Sequence, residues 1–186
     1  MDDAKIIDLY RARSESAISE TARKYGRYCK KIAMNILRNT EDADEAVNDA
    51  YLKVWNAIPP QCPTVFRAFL GKITRNLSLN RYKAGNARKR GGDEVTLLLT
   101  ELEDCIPSVG GVEAAYEANA LAEAIDGFLR SESADSRRVF VRRYWYADPI
   151  TAIASRFQMS ESKVKSMLFR TRNKLKIHLE KEGVTI

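Results

Sequence analysis

Hydrophobic residues recur every three or four positions along most of the chain, which is the period of an amphipathic α-helix. The first stripe lies within Glu15–Arg38, and the second follows Glu41, where acidic residues in the first turn suit the helix dipole. A proline-rich stretch at 59–63 ends the second helix, and a third is predicted over Val65–Ala84. Because no strand-like alternation competes with these periods, this part of the chain is predicted to be helical.

The pattern changes between Gly85 and Gly111, where glycines and acidic residues replace the regular apolar stripe. We interpret residues 91–111 as an acidic, glycine-containing linker. A short helix is predicted inside it over Val95–Leu102, because its leucines are apolar enough to dock on another surface.

Helical periods resume after the linker, over Val112–Arg130 and Ser136–Tyr146. The chain has 186 residues, which is enough for one large domain or two small ones. The sequence therefore predicts an all-α protein with two small helical domains, one over residues 1–90 and the other over residues 112–186.

Residues 148–176 have the pattern of a helix-turn-helix, the motif that places a recognition helix in the major groove of DNA. Asp148 is predicted to cap the first helix and Pro149 to take its first position. After a turn at Gln158 and Met159, Ser160 caps a longer helix with an apolar inner side. Its basic and small-polar outer side carries Lys165, Ser166, Phe169, Arg170, Arg172 and Lys176. The alternative interpretation is an ordinary helical hairpin with a solvated charged face.

Charge is divided into three blocks along the chain. Residues 1–90 hold 18 Lys and Arg against 10 Asp and Glu (net +8), and residues 91–135 hold 1 against 11 (net −10). Residues 136–186 hold 12 against 4 (net +8). Because Lys and Arg that neutralise phosphates release condensed counterions, the two basic blocks favour nucleic acid as a partner.

Residues 50–92 contain nine Lys and Arg and no Asp or Glu, interleaved with aromatic residues. Basic side chains that follow phosphates and rings that stack on bases are typical of proteins that hold single-stranded nucleic acid. The alternative for Trp55, Phe66 and Phe69 is a place in the hydrophobic core, which we expect for at least two of them. Tyr82, with a basic neighbour on each side, is the better candidate for contact with a base.

Other features argue against several classes of protein. No apolar run approaches the length of a membrane span, and the first residues lack the pattern of a signal peptide, so we expect a cytoplasmic protein without membrane insertion. Cys29, Cys62 and Cys105 are too scattered for a disulfide framework or a zinc site. With one histidine, no glycine-rich phosphate loop and no metal-ligand motif, the sequence predicts no cofactor, no metal and no enzyme.

Several segments resemble one known family when they are read in order. They are EDADEAVNDAYLKVW at 41–55, FRAFLGKITRNL at 66–77, Ile153-Ala154, MSESKVKS at 159–166, and FRTR at 169–172 with Leu175. Together they are similar to a bacterial RNA polymerase sigma factor of the extracytoplasmic-function (ECF) type, in the sigma-70 family. Such proteins keep sigma domains two and four, and the resemblance covers both domains.

The resemblance implies that residues 1–90 form sigma domain two. Its acidic second helix would bind the clamp helices of the polymerase β′ subunit, and the residues on that face are Glu45, Asn48, Asp49 and Leu52. The third helix and the loop at 59–64 would bind and melt the minus-ten promoter element. The matching positions are Arg75, Asn76, Asn80, Arg81 and Lys83, to which Tyr82 is added as a stacking residue.

The resemblance also implies that residues 112–186 form sigma domain four, whose recognition helix reads the minus-thirty-five element. The matching positions are Lys165, Ser166, Phe169 and Arg170, with Arg172 and Lys176 as further basic contacts. The expected partners are core RNA polymerase (the β′ clamp helices and the β flap), promoter DNA and an anti-sigma factor, with nucleoid association in the polymerase-bound state. The chain departs from the family at Met167, where an arginine is frequent, and at the start of the helix-turn-helix.

Three other functions are alternatives to a sigma factor. A helix-turn-helix repressor or activator would bind DNA without joining the polymerase core, but it has no need for the motifs at 41–77. A nuclease would need metal ligands, and Asp42, Asp44 and Asp49 on one amphipathic helix fit a solvated or protein-binding face better. A pure interaction scaffold does not account for the basic blocks.

Overall fold

The computed structural model describes residues 1–86, 94–106 and 114–184, and every regular element in these ranges is an α-helix. The all-α prediction is confirmed for the described residues. The helices are α1 Asp3–Arg11, α2 Ser16–Leu37, α3 Thr40–Ala57, α4 Phe66–Asn86, α5 Glu94–Glu103, α6 Ala114–Ser131, α7 Ala134–Tyr144, α8 Ile150–Phe157 and α9 Glu161–Lys181. Among the described residues, no helix has both the length and the apolar character needed to cross a membrane.

The chain divides into two compact units, Met1–Gly91 and Gly92–Ile186. The division lies beside the predicted end of the first domain. The helix expected within the linker is present as α5, and it belongs to the second unit.

The first unit is built on three long helices, α2, α3 and α4, each of which packs against the other two. Phe66, at the start of α4, is completely buried, and its ring centroid lies 5.9 Å from those of both Tyr10 and Tyr25. Trp55 and Phe69 are partly buried against the same core. The core role expected for at least two of these three aromatic residues is therefore confirmed.

Helix α1, the nine-residue helix at the start of the first unit, was not predicted from the sequence. Its buried residues are only Ile6, Ile7 and Tyr10, too few turns for a helical period to stand out. Asp2 caps it by accepting a hydrogen bond from the backbone N–H of Lys5 at 2.9 Å. The Tyr10 hydroxyl is 2.9 Å from that of Thr21, so α1 is joined to α2 by a buried polar contact as well as by apolar packing.

The second unit packs α7, α8 and α9 against one another, with α6 on α9 and α5 on α7. Helix α5 buries Val95 and Leu98 and also supplies charge to the interior. Arg143 of α7 is fully buried, and its Nη1 lies 3.1 Å from Oε1 of Glu94 while its Nε lies 3.5 Å from Oε2 of Glu101. A buried guanidinium needs such partners, so α5 is part of the core of this unit.

The start of α8 differs from the prediction. Asp148 does not cap the helix, because its buried carboxylate pairs with Arg142 instead, and Pro149 is the N-cap residue rather than the first helical position. The cap hydrogen bond comes from another helix, since Oε1 of Glu94 accepts from the backbone N–H of Ile150 at 3.1 Å. One carboxylate therefore serves both Arg143 and the N-terminus of α8.

Candidate nucleic-acid and protein interfaces

Helix α9 is positioned by a cap and by one continuous apolar side. The Ser160 hydroxyl accepts a hydrogen bond from the backbone N–H of Lys163 at 3.2 Å, which confirms the predicted cap. The side that faces the unit consists of Val164, Leu168, Thr171, Leu175 and Leu179, all buried. With this side fixed by packing, the opposite side of α9 is presented to solvent.

The exposed side of α9 holds most of the residues predicted to read duplex DNA. Lys165, Phe169, Arg170 and Lys176 are exposed, and Ser166 is half-buried. Phe169 is 58% exposed, although a phenylalanine on a helix surface normally turns towards a core. Such a ring is suited to apolar contact with a thymine methyl group or a sugar edge.

Arg172 does not share this exposed side, contrary to the prediction. Its side chain is only 17% exposed, and its Nη1 donates to the Tyr144 hydroxyl at 2.7 Å and lies 3.5 Å from Oε1 of Glu101. Tyr144 in turn donates to Oε2 of Glu101 at 3.0 Å, and burial raises the pKa of this hydroxyl, which therefore keeps its proton. Arg172 is held within the unit by α5 and α7.

A basic groove between α7 and α8 was not singled out from the sequence. It is lined by Arg137, Arg138, Val141, Arg142, Tyr146, Arg156 and Phe157. The guanidinium of Arg142 lies over the Tyr146 ring, 4.1 Å from its centroid, and is committed to Asp148. Arg137 and Arg156 are exposed and add positive charge to the same unit as α9. The net charge of +8 over residues 136–186 could have indicated a basic surface, but a net charge does not show which side chains lie together in the fold.

The predicted polymerase-binding residues lie on the outer side of α3. Glu45, Asn48 and Leu52 are exposed and Asp49 is half-buried, while Ala46, Val47 and Ala50 face the core. Leu52 is 57% exposed. It lines a shallow groove with Glu15, Ile18, Ser19 and Trp55, so an apolar strip adjoins the acidic residues. This mixture of carboxylates and an exposed leucine is suited to binding a protein surface that has basic and apolar groups.

The predicted minus-ten residues lie along the C-terminal half of α4. Asn76, Asn80 and Lys83 are exposed, whereas Arg75 and Tyr82 are half-buried. Desolvation lowers the pKa of the Arg75 guanidinium. The loop before α4 is mostly exposed, from Pro59 to Val65.

Arg81 joins the two predicted surfaces of the first unit. Its Nη1 donates to Oε2 of Glu45, and its Nη2 lies 3.0 Å from Oδ2 of Asp49. Glu45 and Asp49 are four residues apart and therefore adjacent on the surface of α3. The residue expected to bind DNA phosphates thus lies against two of those expected to bind polymerase.

Two comparisons with known proteins bear on these surfaces. A family model described as sigma-70 region 2 matches residues 21–88, which include α2 from Thr21 onwards and the whole of α3 and α4. A probable RNA polymerase sigma factor, RfaY of Xanthomonas campestris pv. campestris, is 25% identical to this chain over 142 residues. That alignment covers 76% of this chain and 35% of the relative, so the chain matches about a third of the relative's length.

Proposed function

We propose that the chain is an ECF-type sigma factor of the sigma-70 family, which binds core RNA polymerase and directs promoter-specific transcription initiation. The match of residues 21–88 to sigma-70 region 2 and the similarity to a probable sigma factor support this. The observation that carries the proposal is the match of region 2 to the helices that hold both the acidic side of α3 and the basic end of α4. A regulator that acts without polymerase has no need of these surfaces.

In this proposal the first unit binds polymerase and the minus-ten element. Glu45, Asn48, Asp49 and Leu52 contact the clamp helices of the β′ subunit. Arg75, Asn76, Asn80, Arg81 and Lys83 contact the minus-ten strand, and Tyr82 stacks on one of its bases. All six side chains lie on the C-terminal half of α4 and none is fully buried, which supports the assignment because phosphate and base contacts both need accessible groups.

The second unit binds the minus-thirty-five element through α9 and meets the β flap of polymerase. Lys165, Ser166, Phe169 and Arg170 are the residues proposed to contact the groove, with Lys176 on a phosphate. The capped N-terminus and the exposed side of α9 support this role. An anti-sigma factor is a further proposed partner, and the proposed location is the cytoplasm, with nucleoid association in the polymerase-bound state.

The polymerase contact is tested by a charge reversal on α3. We expect Glu45→Lys with Asp49→Lys to weaken capture by immobilised core RNA polymerase at least tenfold, because two attractive charges become repulsive. The matched control is Glu180→Lys with Glu182→Lys, which makes the same charge change at exposed positions near the end of α9. Equal capture of the two well-folded variants would remove the α3 assignment, and no capture of the wild-type chain would favour a regulator that acts without polymerase.

The DNA contact is tested on promoters recovered from a randomised library by the assembled holoenzyme. Arg170→Ala should lose roughly 1–3 kcal/mol of binding free energy and relax the preference at one position if the guanidinium reads a base. If it touches only phosphate, binding should weaken evenly across sequences. The control is Lys174→Ala, which removes the same charge one turn further along α9, where Lys174 pairs with Glu132 at 2.9 Å. Run-off transcription that is unchanged in both Phe169→Ala and Arg170→Ala would exclude this side of α9.

A further inference from the structure

The Arg81 side chain lies between two predicted binding surfaces, the polymerase surface on α3 and the minus-ten surface on α4. It extends from α4 to α3, where one guanidinium serves two carboxylates through separate nitrogens. The two contacts engage both Nη atoms, the donors with which arginine makes its paired hydrogen bonds to a phosphate. While Glu45 and Asp49 accept these hydrogen bonds, both Nη groups are occupied and do not donate to a phosphate.

The three side chains remain accessible to solvent. Arg81 is 29% exposed, Glu45 63% and Asp49 46%. The hydrogen bond from Arg81 lowers the pKa of Glu45, and the reciprocal bond raises that of Arg81, so the pair is fully charged at neutral pH. Ion pairs this exposed are weak because water and salt screen them, and a competing charged partner displaces them at little cost.

We propose that Arg81 is a shared counterion that couples the two binding surfaces of the first unit. In the free chain Glu45 and Asp49 hold it. When cationic groups of the polymerase take these carboxylates, the Arg81 guanidinium is released to bind a phosphate of the promoter strand beside Asn80 and Lys83. This inference rests on the proposed function and adds to it a reason for polymerase binding to strengthen DNA binding.

The coupling must be reciprocal, since two binding events that compete for one internal contact change each other's affinity by the same factor. DNA that takes Arg81 leaves Glu45 and Asp49 unpaired and more attractive to a basic protein surface. Because both ion pairs are exposed, the expected coupling is about two- to fivefold, which corresponds to the usual strength of such pairs. This is a modest bias in favour of the assembled complex.

The first test measures the full chain binding fluorescein-labelled oligo(dT) at fixed low salt, without polymerase. Glu45→Gln with Asp49→Asn imitates the loss of the carboxylates to a partner and should raise the affinity about two- to fivefold above that of a charge-matched control. The control is Glu41→Gln with Asp42→Asn, which removes two acids from the first turn of the same helix. In an Arg81→Gln background the two double variants should bind equally. Equal binding in the wild-type background would overturn the proposal.

The second test measures binding to core RNA polymerase. Arg81→Gln frees the two carboxylates and should strengthen binding about two- to fivefold, whereas Arg81→Lys, which keeps the positive charge, should change it less. Weaker binding of Arg81→Gln would show that Arg81 supports the polymerase surface, which contradicts a shared role. Absence of core binding by the wild-type chain would sink the proposed function instead, and the oligo(dT) comparison would still report whether Arg81 is held by the carboxylates.

Discussion

Leu168 and Phe169 are neighbours in α9 with opposite surroundings. Leu168 is 1% exposed within the second unit, and Phe169 is one of the most exposed large apolar residues among those described. Adjacent helical residues point about 100° apart, so one step along the chain separates the side that folds the unit from the side available to a partner. Phe169 therefore exposes apolar surface to water in the free chain and contributes nothing to its hydrophobic core.

This contrast predicts different effects on stability for two adjacent substitutions. Leu168→Ala should lower the free energy of unfolding by about 2–5 kcal/mol, because it removes buried methyl groups and leaves a cavity. Phe169→Ala should change it by less than ~0.5 kcal/mol, as is usual for exposed positions. Urea unfolding of a 92–186 fragment, followed by the fluorescence of Trp145, its only tryptophan, measures both. Similar losses in the two variants would show that Phe169 is packed.

At the scale of a single element, α5 shows how a segment with the composition of a linker becomes part of a core. Its ten residues are too few to form a stable isolated helix in water. Val95 and Leu98 give it an apolar side, but Glu94 and Glu101 bind it to Arg143 and Arg172. The helix is therefore stabilised by its place in the second unit, where its apolar side is buried and its carboxylates are paired.

Among the residues of α5, Glu101 is predicted to contribute most to the free energy of unfolding of the second unit. Glu101→Gln removes the charge that faces both Arg143 and Arg172. It should lower the free energy of unfolding by roughly 3 kcal/mol, which is the lower end for losing one partner of a buried ion pair. The lower end is expected because Glu94 still faces Arg143. Glu103→Gln is the matched control, since Glu103 is exposed on the same helix. Urea unfolding of the 92–186 fragment gives the comparison. Equal stability of the two variants would mean that α5 is held by its apolar side alone.

The chain divides into two compact units of nearly equal length, and the sequence at their boundary, ARKRGG at 87–92, holds three basic residues and two glycines. Each unit has its own buried cluster, with Phe66 and Leu70 in the first and Leu168 and Leu175 in the second. Two compact units with separate buried clusters suit the proposed sigma-factor role, in which two DNA-binding surfaces bind separate promoter elements.

Limited proteolysis should separate the units. Trypsin is expected to cut first after Arg88, Lys89 or Arg90, next to Gly91 and at the boundary between the units, because sites between folded parts are preferred for nicking. Mass spectrometry should identify two fragments, and each should keep a helical circular dichroism spectrum. A first cut inside Glu15–Arg38, within the core of the first unit, would contradict the division.

The sequence by itself determined the helices and the resemblance to sigma-70 region 2. Helical periods depend on residues within a few turns of each other, so they could be recognised without the fold, and most predicted helix ends agree with the structure to within two residues. The stretches EDADEAVNDAYLKVW and FRAFLGKITRNL, which carried the resemblance for domain two, lie inside the region that matches sigma-70 region 2. The short α1 was missed because its period is too brief to recognise.

Only the tertiary structure decided which charged residues are free to bind a partner. In the sequence, Arg172 and Arg170 are equally good candidates for binding DNA. In the fold, however, Tyr144, 28 residues away, accepts a hydrogen bond from Arg172. Glu94 caps α8 from 56 residues away, and Arg81 pairs with Asp49 from 32 residues away. Such contacts depend on how helices cross, which a local period does not specify, and a charged side chain binds whichever opposite charge the fold brings within reach.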